Sequence, residues 1–143
     1  MIWTSSFYLL NKLPDCMIPI AISGQSPEWY TGAEYKKLAP TKSIYYEWKE
    51  VYDNTPKDNP EEYVKRCLEA DKLYTKRFRE ERLKKLNVND VVYDLFSLSN
   101  KKQPCLICYE KHPLEFCHRH LVAIWLTVNE YNTHEWTGYE CNK

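Results

Sequence analysis

The sequence has no excess of charge of either sign. Its 143 residues include 20 Lys and Arg and 20 Asp and Glu, so the formal net charge at pH 7 is zero. A balanced chain has no general attraction for nucleic acid or for an anionic membrane surface. Any function that depends on charge must therefore reside in a local group of side chains.

Long apolar runs are also missing. The most apolar stretches, such as residues 17–22, are far shorter than the roughly 20 residues that a membrane span requires. The N-terminus does not show the basic segment followed by an apolar segment that typifies a secretory signal. We therefore expect a cytoplasmic protein with no membrane partner.

Cysteine is present in a number that would allow a disulfide framework in a secreted chain. Because nothing indicates export, and because a chain of this length can bury a core of its own, we expect every cysteine to be reduced. The six cysteines are Cys16, Cys67, Cys105, Cys108, Cys117 and Cys141.

Short apolar runs alternate with amphipathic stretches, which is the pattern of an α/β protein. Strand character is found in residues 1–5, 17–23 and 105–108. The second of these runs is almost continuously apolar, as in a parallel sheet that is covered on both faces. We predict one compact domain over residues 1–143, with a small, mainly parallel sheet flanked by helices and a possible edge strand in residues 133–143.

Helix signals fill the spaces between these strands. Asn59 precedes Pro60 and is a typical N-cap, and that helix should continue to about residue 86. Asn89 is the expected cap of a short helix before the third strand. A further helix is expected over residues 118–131, directly after the loop that follows that strand.

The segment 104–125 carries the most reactive residue types. Cys117 lies at a helix start beside His118 and Arg119, an environment that lowers the pKa of a thiol and favours a thiolate nucleophile. Glu110 could orient the histidine or act as a general base. These residues would suit a thiol- or carboxylate-dependent hydrolase or transferase, in which Arg119 binds a phosphate or carboxylate.

The same segment has the spacing of a zinc site. Cys105, Cys108, Cys117 and His120 form a C-x2-C-x8-C-x2-H pattern. If residues 105–108 are a strand, however, Cys105 and Cys108 point to opposite faces and cannot reach one ion. We therefore predict no metal cofactor and keep a zinc-stabilised interaction protein as an alternative.

A long loop, residues 24–40, follows the second strand. In an open α/β sheet, ligands bind outside the carboxyl ends of the strands, so this loop could face the loop after Cys108. It offers rings for stacking and positive charge for an anion, although a surface lid that packs its own rings is an equal interpretation. The residues concerned are Trp29, Tyr30, Tyr35, Lys36 and Lys37.

A basic stretch, residues 72–85, could contact phosphates as part of a nucleic-acid-binding module. It holds seven basic residues against Glu80 and Glu81. The neutral charge of the whole chain makes a solvated helix face the better interpretation. Nucleic acid is therefore a possible but not a favoured partner.

Four segments carry a resemblance to a known family: a first strand ending in Thr4, Ser5 and Ser6, the sequence WYTGAEYKKLAP at residues 29–40, CYEK at residues 108–111 and CHR at residues 117–119. In these segments the chain resembles the bacterial and phage proteins grouped as the domain of unknown function 488 (DUF488) family. The resemblance covers most of the chain and implies a compact α/β fold with a mainly parallel sheet, but it supplies no reaction.

Taken together, the patterns predict a protein that binds or processes a small anionic, nucleotide-like ligand between the 24–40 loop and the 108–120 loop and helix start. No cofactor is expected. The candidate catalytic residues are Cys117, Glu110 and His118, and the candidate ligand-binding residues are Ser5, Ser6, Trp29, Tyr30, Tyr35, Lys36, Lys37, Cys108, Lys111 and Arg119.

Overall fold

The computed structural model describes residues 1–138, and within them five strands form one parallel sheet. Their order across the sheet is β3-β2-β4-β1-β5. The predicted α/β fold, with a parallel sheet and a C-terminal edge strand, is confirmed. The strands are β1 (Ile2–Ser6), β2 (Met17–Ala21), β3 (Ala33–Glu34), β4 (Gln103–Cys108) and β5 (Thr133–Glu135).

Four α-helices accompany the sheet in these residues: α1 (Lys42–Asn54), α2 (Pro60–Glu81), α3 (Val88–Leu98) and α4 (His118–Val128). Short 3-10 helices cover Phe7–Lys12, Lys36–Leu38 and Leu83–Lys85. None of the helices within residues 1–138 is both long enough and apolar enough to cross a membrane.

Side-chain caps start three of the four α-helices, α1, α2 and α3. The Asn59 side chain accepts a hydrogen bond from the Glu62 backbone at the start of α2, as its sequence predicts. The prediction of Asn89 as the cap of α3 is wrong. Asn87 occupies that position and accepts from the Asp90 backbone, so the helix starts earlier.

The two faces of the sheet are covered differently. One face packs against the α-helices through a core that includes Ile20, Leu106 and Val122. The other is covered by the 7–12 helix and the loop near Tyr30 around Trp3, and Cys105 belongs to this second core. The near-continuous apolar strands follow from this two-sided burial.

The cysteines differ in bonding. Cys67, Cys105, Cys108 and Cys117 are free and buried. Cys16 is disulfide-bonded, so the expectation that it is reduced is wrong. Cys141 lies outside the described residues.

The edge strand β5 is tied to α4 by an ion pair. The Arg119 side chain has no exposed surface, and its Nη2 lies 2.9 Å from Glu135 Oε2 while its Nε lies 3.2 Å from Oε1. Thr4 donates a further hydrogen bond to Glu135 at 2.6 Å. Since β5 is only three residues long, these side-chain bonds add substantially to its attachment.

Replacing Glu135 by Gln should lower the free energy of unfolding by about 2–4 kcal/mol, because the buried guanidinium loses its counter-charge. Urea denaturation followed by circular dichroism measures the change. Glu34→Gln is the matched control, since Glu34 lies 4.0 Å from Lys36 in an exposed pair, and it should change stability by no more than about 0.5 kcal/mol. Equal effects of the two substitutions would contradict this role of Glu135.

Candidate functional site

A pocket of about 560 Å³ opens at the edge of the sheet where β2 and β4 end. Because all strands are parallel, their carboxyl ends meet at this edge, which is where α/β sheets bind ligands. The starts of α1 and α4 complete its walls through Thr41 and His118. We refer to it as the edge pocket.

Two thiols and an imidazole meet at the floor of the edge pocket. Cys108 is the last residue of β4, whereas Cys117 and His118 lie at the start of α4. Cys108 Sγ lies 3.6 Å from His118 Nδ1, and the three donor atoms all lie within 4.8 Å of one another. We call these three residues the floor cluster.

The ring of His118 is oriented by the backbone. Its Nε2 lies 2.8 Å from the carbonyl oxygen of Ile22, just beyond the end of β2. A carbonyl can only accept, so Nε2 carries a proton and donates it. This bond turns Nδ1 toward the two thiols.

Within the floor cluster, the pKa of Cys117 is lowered and the pKa of His118 is raised. Burial acts to raise the pKa of Cys117. Hydrogen bonds with Cys108 and His118, together with the charges of His118 and Arg119, outweigh burial and hold this pKa well below its usual value. Burial acts to lower the pKa of His118, yet its hydrogen bond with Cys117 and the charge there raise it. The pKa of Cys108 is raised by its hydrogen bond with Cys117 and by burial, so Cys117 is the thiol of the pair that ionises more readily.

A carboxyl group lies beside this cluster. Glu110 Oε2 accepts a hydrogen bond from Cys108 Sγ at 3.5 Å. Burial and the charge of Cys117 raise the pKa of Glu110 to about 7. A carboxyl group with such a pKa can give or take a proton at neutral pH, which is what general acid–base chemistry needs.

Aromatic rings form one wall of the edge pocket. Phe116 packs edge-on against Tyr74 with ring centres 5.1 Å apart, and its centre lies 5.8 Å from that of Trp48. The Trp48 ring is fixed by a hydrogen bond that its Nε1 donates to Asp71 at 2.8 Å. Tyr45 also lines the pocket, one turn before Trp48 on α1.

The rim of the pocket is basic. Lys36, Lys42 and Lys49 line it, and among the described residues Glu110, beside the floor cluster, is the one acidic residue of the whole pocket lining. Lys49 is paired with Asp53 at 3.1 Å. The starts of α1 and α4 add positive dipole ends, so the edge pocket favours an anion.

A buried hydroxyl in the pocket lining has no partner. Ser23 is 4% exposed, and its Oγ makes no hydrogen bond in the structure. An unsatisfied buried hydroxyl is uncommon and costs stability. Its place in the lining makes it available to a ligand.

Comparison with protein families gives a match. Residues 17–130 match the family DUF488-N3a, described as the active DUF488-N3 subclade. The chain belongs to the DUF488 family. Comparison with curated proteins and with solved structures gave no match.

The family match of this DUF488 protein includes every residue of the floor cluster and the 29–40 segment, but not Ser5 and Ser6. Both serines are buried at the end of β1. Ser5 donates to the Trp136 carbonyl at 3.0 Å, whereas Ser6 Oγ has no partner in the structure.

The structure brings only some of the candidate site residues together. Five line the edge pocket, namely Lys36, Cys108, Glu110, Cys117 and His118. Trp29 and Tyr30 lie instead on the other face of the sheet, with ring centres 5.9 and 5.4 Å from that of Phe7. The 24–40 loop thus divides between the two faces, which sequence order alone does not show.

The remaining candidates make other contacts. Tyr35 is buried, and its hydroxyl donates a hydrogen bond to Asp94 at 2.6 Å. Lys37 is exposed. Lys111 Nζ lies 4.8 Å from the centre of the Tyr8 ring. Arg119 is bound to Glu135 and, through Nη1, to the Glu110 carbonyl at 2.8 Å. It therefore supports the loop of the edge pocket from below.

The residues of the C-x2-C-x8-C-x2-H pattern separate in the same way. Cys105 belongs to the core on the opposite face of the sheet. His120 Nε2 is buried without a partner. In the described part of the chain, the histidine that meets Cys108 and Cys117 is His118.

Two arginines of the basic stretch 72–85 make contacts within the protein. Arg77 is paired with Glu47 and Glu81. Arg82 donates through Nε to the Ala39 carbonyl at 2.8 Å and through Nη2 to the Lys36 carbonyl at 2.9 Å. Arg82 thereby fixes the segment that carries Lys36.

Ser23→Ala should leave the free energy of unfolding unchanged or raise it by up to about 1 kcal/mol, because the hydroxyl it removes has no partner. The matched control is Ser5→Ala, which breaks a buried hydrogen bond and should cost about 1–2 kcal/mol. Urea denaturation measures both. An equal loss in the two variants would mean that Ser23 serves stability rather than a ligand.

Proposed function

We propose that this DUF488 protein binds a small anionic molecule with an aromatic ring, of the nucleotide type, in the edge pocket and transforms it at the floor cluster. One observation carries the proposal: a single pocket combines a basic rim, an aromatic wall and a floor of reactive side chains. The description of the matching family as the active DUF488-N3 subclade agrees with a reactive floor.

The dimensions suit such a ligand. A volume of about 560 Å³ lies within the range of roughly 300–1,000 Å³ that small-molecule and cofactor sites have. A nucleotide needs an apolar surface for its base and donors for its phosphate. The edge pocket offers these on different walls, so both parts of one molecule can be bound together.

The lysines of the edge pocket indicate where the phosphate of the ligand binds. Lys42 is the first residue of α1 and makes no ion pair with any described residue. Lys42 and the free N–H groups of the helix start belong to the same turn of α1, which lines the pocket and suits an anion. Lys36 approaches from the segment that Arg82 holds.

The aromatic wall indicates where the base of the ligand binds. Tyr74 is 5% exposed and Phe116 packs against it, so these rings keep their positions without a ligand. Rings held in place lose little conformational freedom when a base packs against them. Ser23, with its unpaired hydroxyl, can then bond to a polar edge of the ligand.

Isothermal titration calorimetry with a panel of nucleoside monophosphates, and with inorganic phosphate, tests the proposal. At least one nucleotide should bind, and Lys42→Ala should weaken its binding about tenfold, the loss of about 1.4 kcal/mol that a charge-assisted contact supplies. Binding should also weaken as salt increases.

Lys37→Ala is the matched control, because Lys37 is an exposed neighbour of Lys36 that does not line the pocket. It should leave the affinity within about twofold, which is about 0.4 kcal/mol. No heat with any nucleotide, or an equal loss in the two lysine variants, would exclude the proposed ligand class or its place in the edge pocket.

A further inference from the structure

We infer that the floor cluster is a metal site: Cys108, Cys117 and His118 bind one Zn²⁺ ion, with a fourth position open to the edge pocket. The site differs from the C-x2-C-x8-C-x2-H pattern of the sequence, because it excludes Cys105 and uses the neighbouring histidine. The inference stands on the geometry of the cluster.

The separations of the donor atoms fit one ion. Tetrahedral zinc, with Zn–S bonds of about 2.3 Å and Zn–N bonds of about 2.1 Å, places sulfur and nitrogen about 3.6 Å apart. Cys108 Sγ and His118 Nδ1 lie 3.6 Å apart. All three donor atoms lie within 4.8 Å of one another, so small side-chain movements bring all three to one ion.

The histidine is already oriented as metal-bound histidines are. These residues almost always donate their other ring N–H to a carbonyl or carboxylate, which fixes the tautomer and the ring plane. His118 does so through Nε2, which lies 2.8 Å from the Ile22 carbonyl. Nδ1 is thereby directed at the sulfurs.

The rest of the cluster is supported equally well. Cys108 ends a strand in the centre of the sheet, and Cys117 is held by Arg119, whose Nη1 lies 3.6 Å from its sulfur. The three residues are no more than 5% exposed. A site that is fixed before binding loses little free energy in ordering its ligands.

The donor set indicates the metal and its use. Thiolate together with imidazole favours zinc over magnesium or calcium, which prefer oxygen donors. Two cysteines and one histidine are a set found in catalytic zinc sites, where the fourth position is left for water or substrate. All three donors line the edge pocket, so that position faces it. The role of the ion rests on the proposed function: it would polarise an oxygen atom of the bound ligand.

Titration of the chelator-treated, reduced full-length protein with Co²⁺ tests the site. Binding should saturate at one equivalent, with thiolate-to-cobalt charge-transfer absorption in the near ultraviolet and tetrahedral d–d bands in the visible. Zn²⁺ should displace the cobalt and abolish both, since it binds this type of site more tightly.

Cys108→Ser and Cys117→Ser should each weaken Co²⁺ binding at least tenfold and remove most of the charge-transfer band. Cys67→Ser is the matched control, since Cys67 is another free, buried thiol outside the floor cluster, and it should bind one equivalent as the wild type does. X-ray absorption of the zinc-loaded wild type needs no variant and should show two sulfurs at about 2.3 Å.

Three results would overturn the inference: a folded wild type that takes up neither ion, a zinc shell without two sulfurs, or a loss of binding in Cys67→Ser equal to that in the cluster variants. The first would leave Cys117 as a metal-free thiol. None of these readouts involves a nucleotide, so the failure of the metal site and the failure of ligand binding are separate results.

Discussion

The buried guanidinium of Arg119 is the group on which the candidate site depends. It has no exposed surface, and its contacts join three parts of the chain: Glu135 on β5, the backbone of Glu110 after β4, and the sulfur of Cys117 at the start of α4. A buried charge requires such partners, since its desolvation is otherwise costly. The same bonds fix the loop that brings residues 117 and 118 to Cys108.

This arrangement gathers ionisable side chains in the edge pocket. Its floor concentrates two thiols, an imidazole and a carboxyl group whose pKa values are shifted by burial and by one another. Such a group of buried ionisable side chains does not favour stability, and the unpaired hydroxyl of Ser23 adds to the cost. Perturbed groups gathered in a pocket are typical of functional sites. We therefore interpret the edge pocket as a functional site.

The sequence predicted what depends on local rules. The parallel strands, the Asn59 cap and the edge strand follow from periodicity and capping, and they are confirmed. The strand pattern of residues 105–108 also implied that Cys105 and Cys108 face opposite ways. Because a helix advances by about 100° per residue, however, spacing alone did not decide whether His118 or His120 meets the thiols.

Tertiary packing decided the rest. The rings of the aromatic wall come from α1, α2 and the loop before α4, which no sequence spacing connects. Trp29 and Tyr30 looked equally suitable in the sequence, yet their segment crosses to the other face of the sheet and packs on Phe7. The basic rim was partly foreseen through Lys36.

The most direct test of the account is a crystal structure with the nucleotide that binds best in calorimetry. The account predicts electron density in the edge pocket, with the phosphate near Lys42, the base against Phe116 and a reactive atom facing the floor cluster. Density beside Trp29 and Tyr30 on the opposite face of the sheet, with the edge pocket empty, would contradict it.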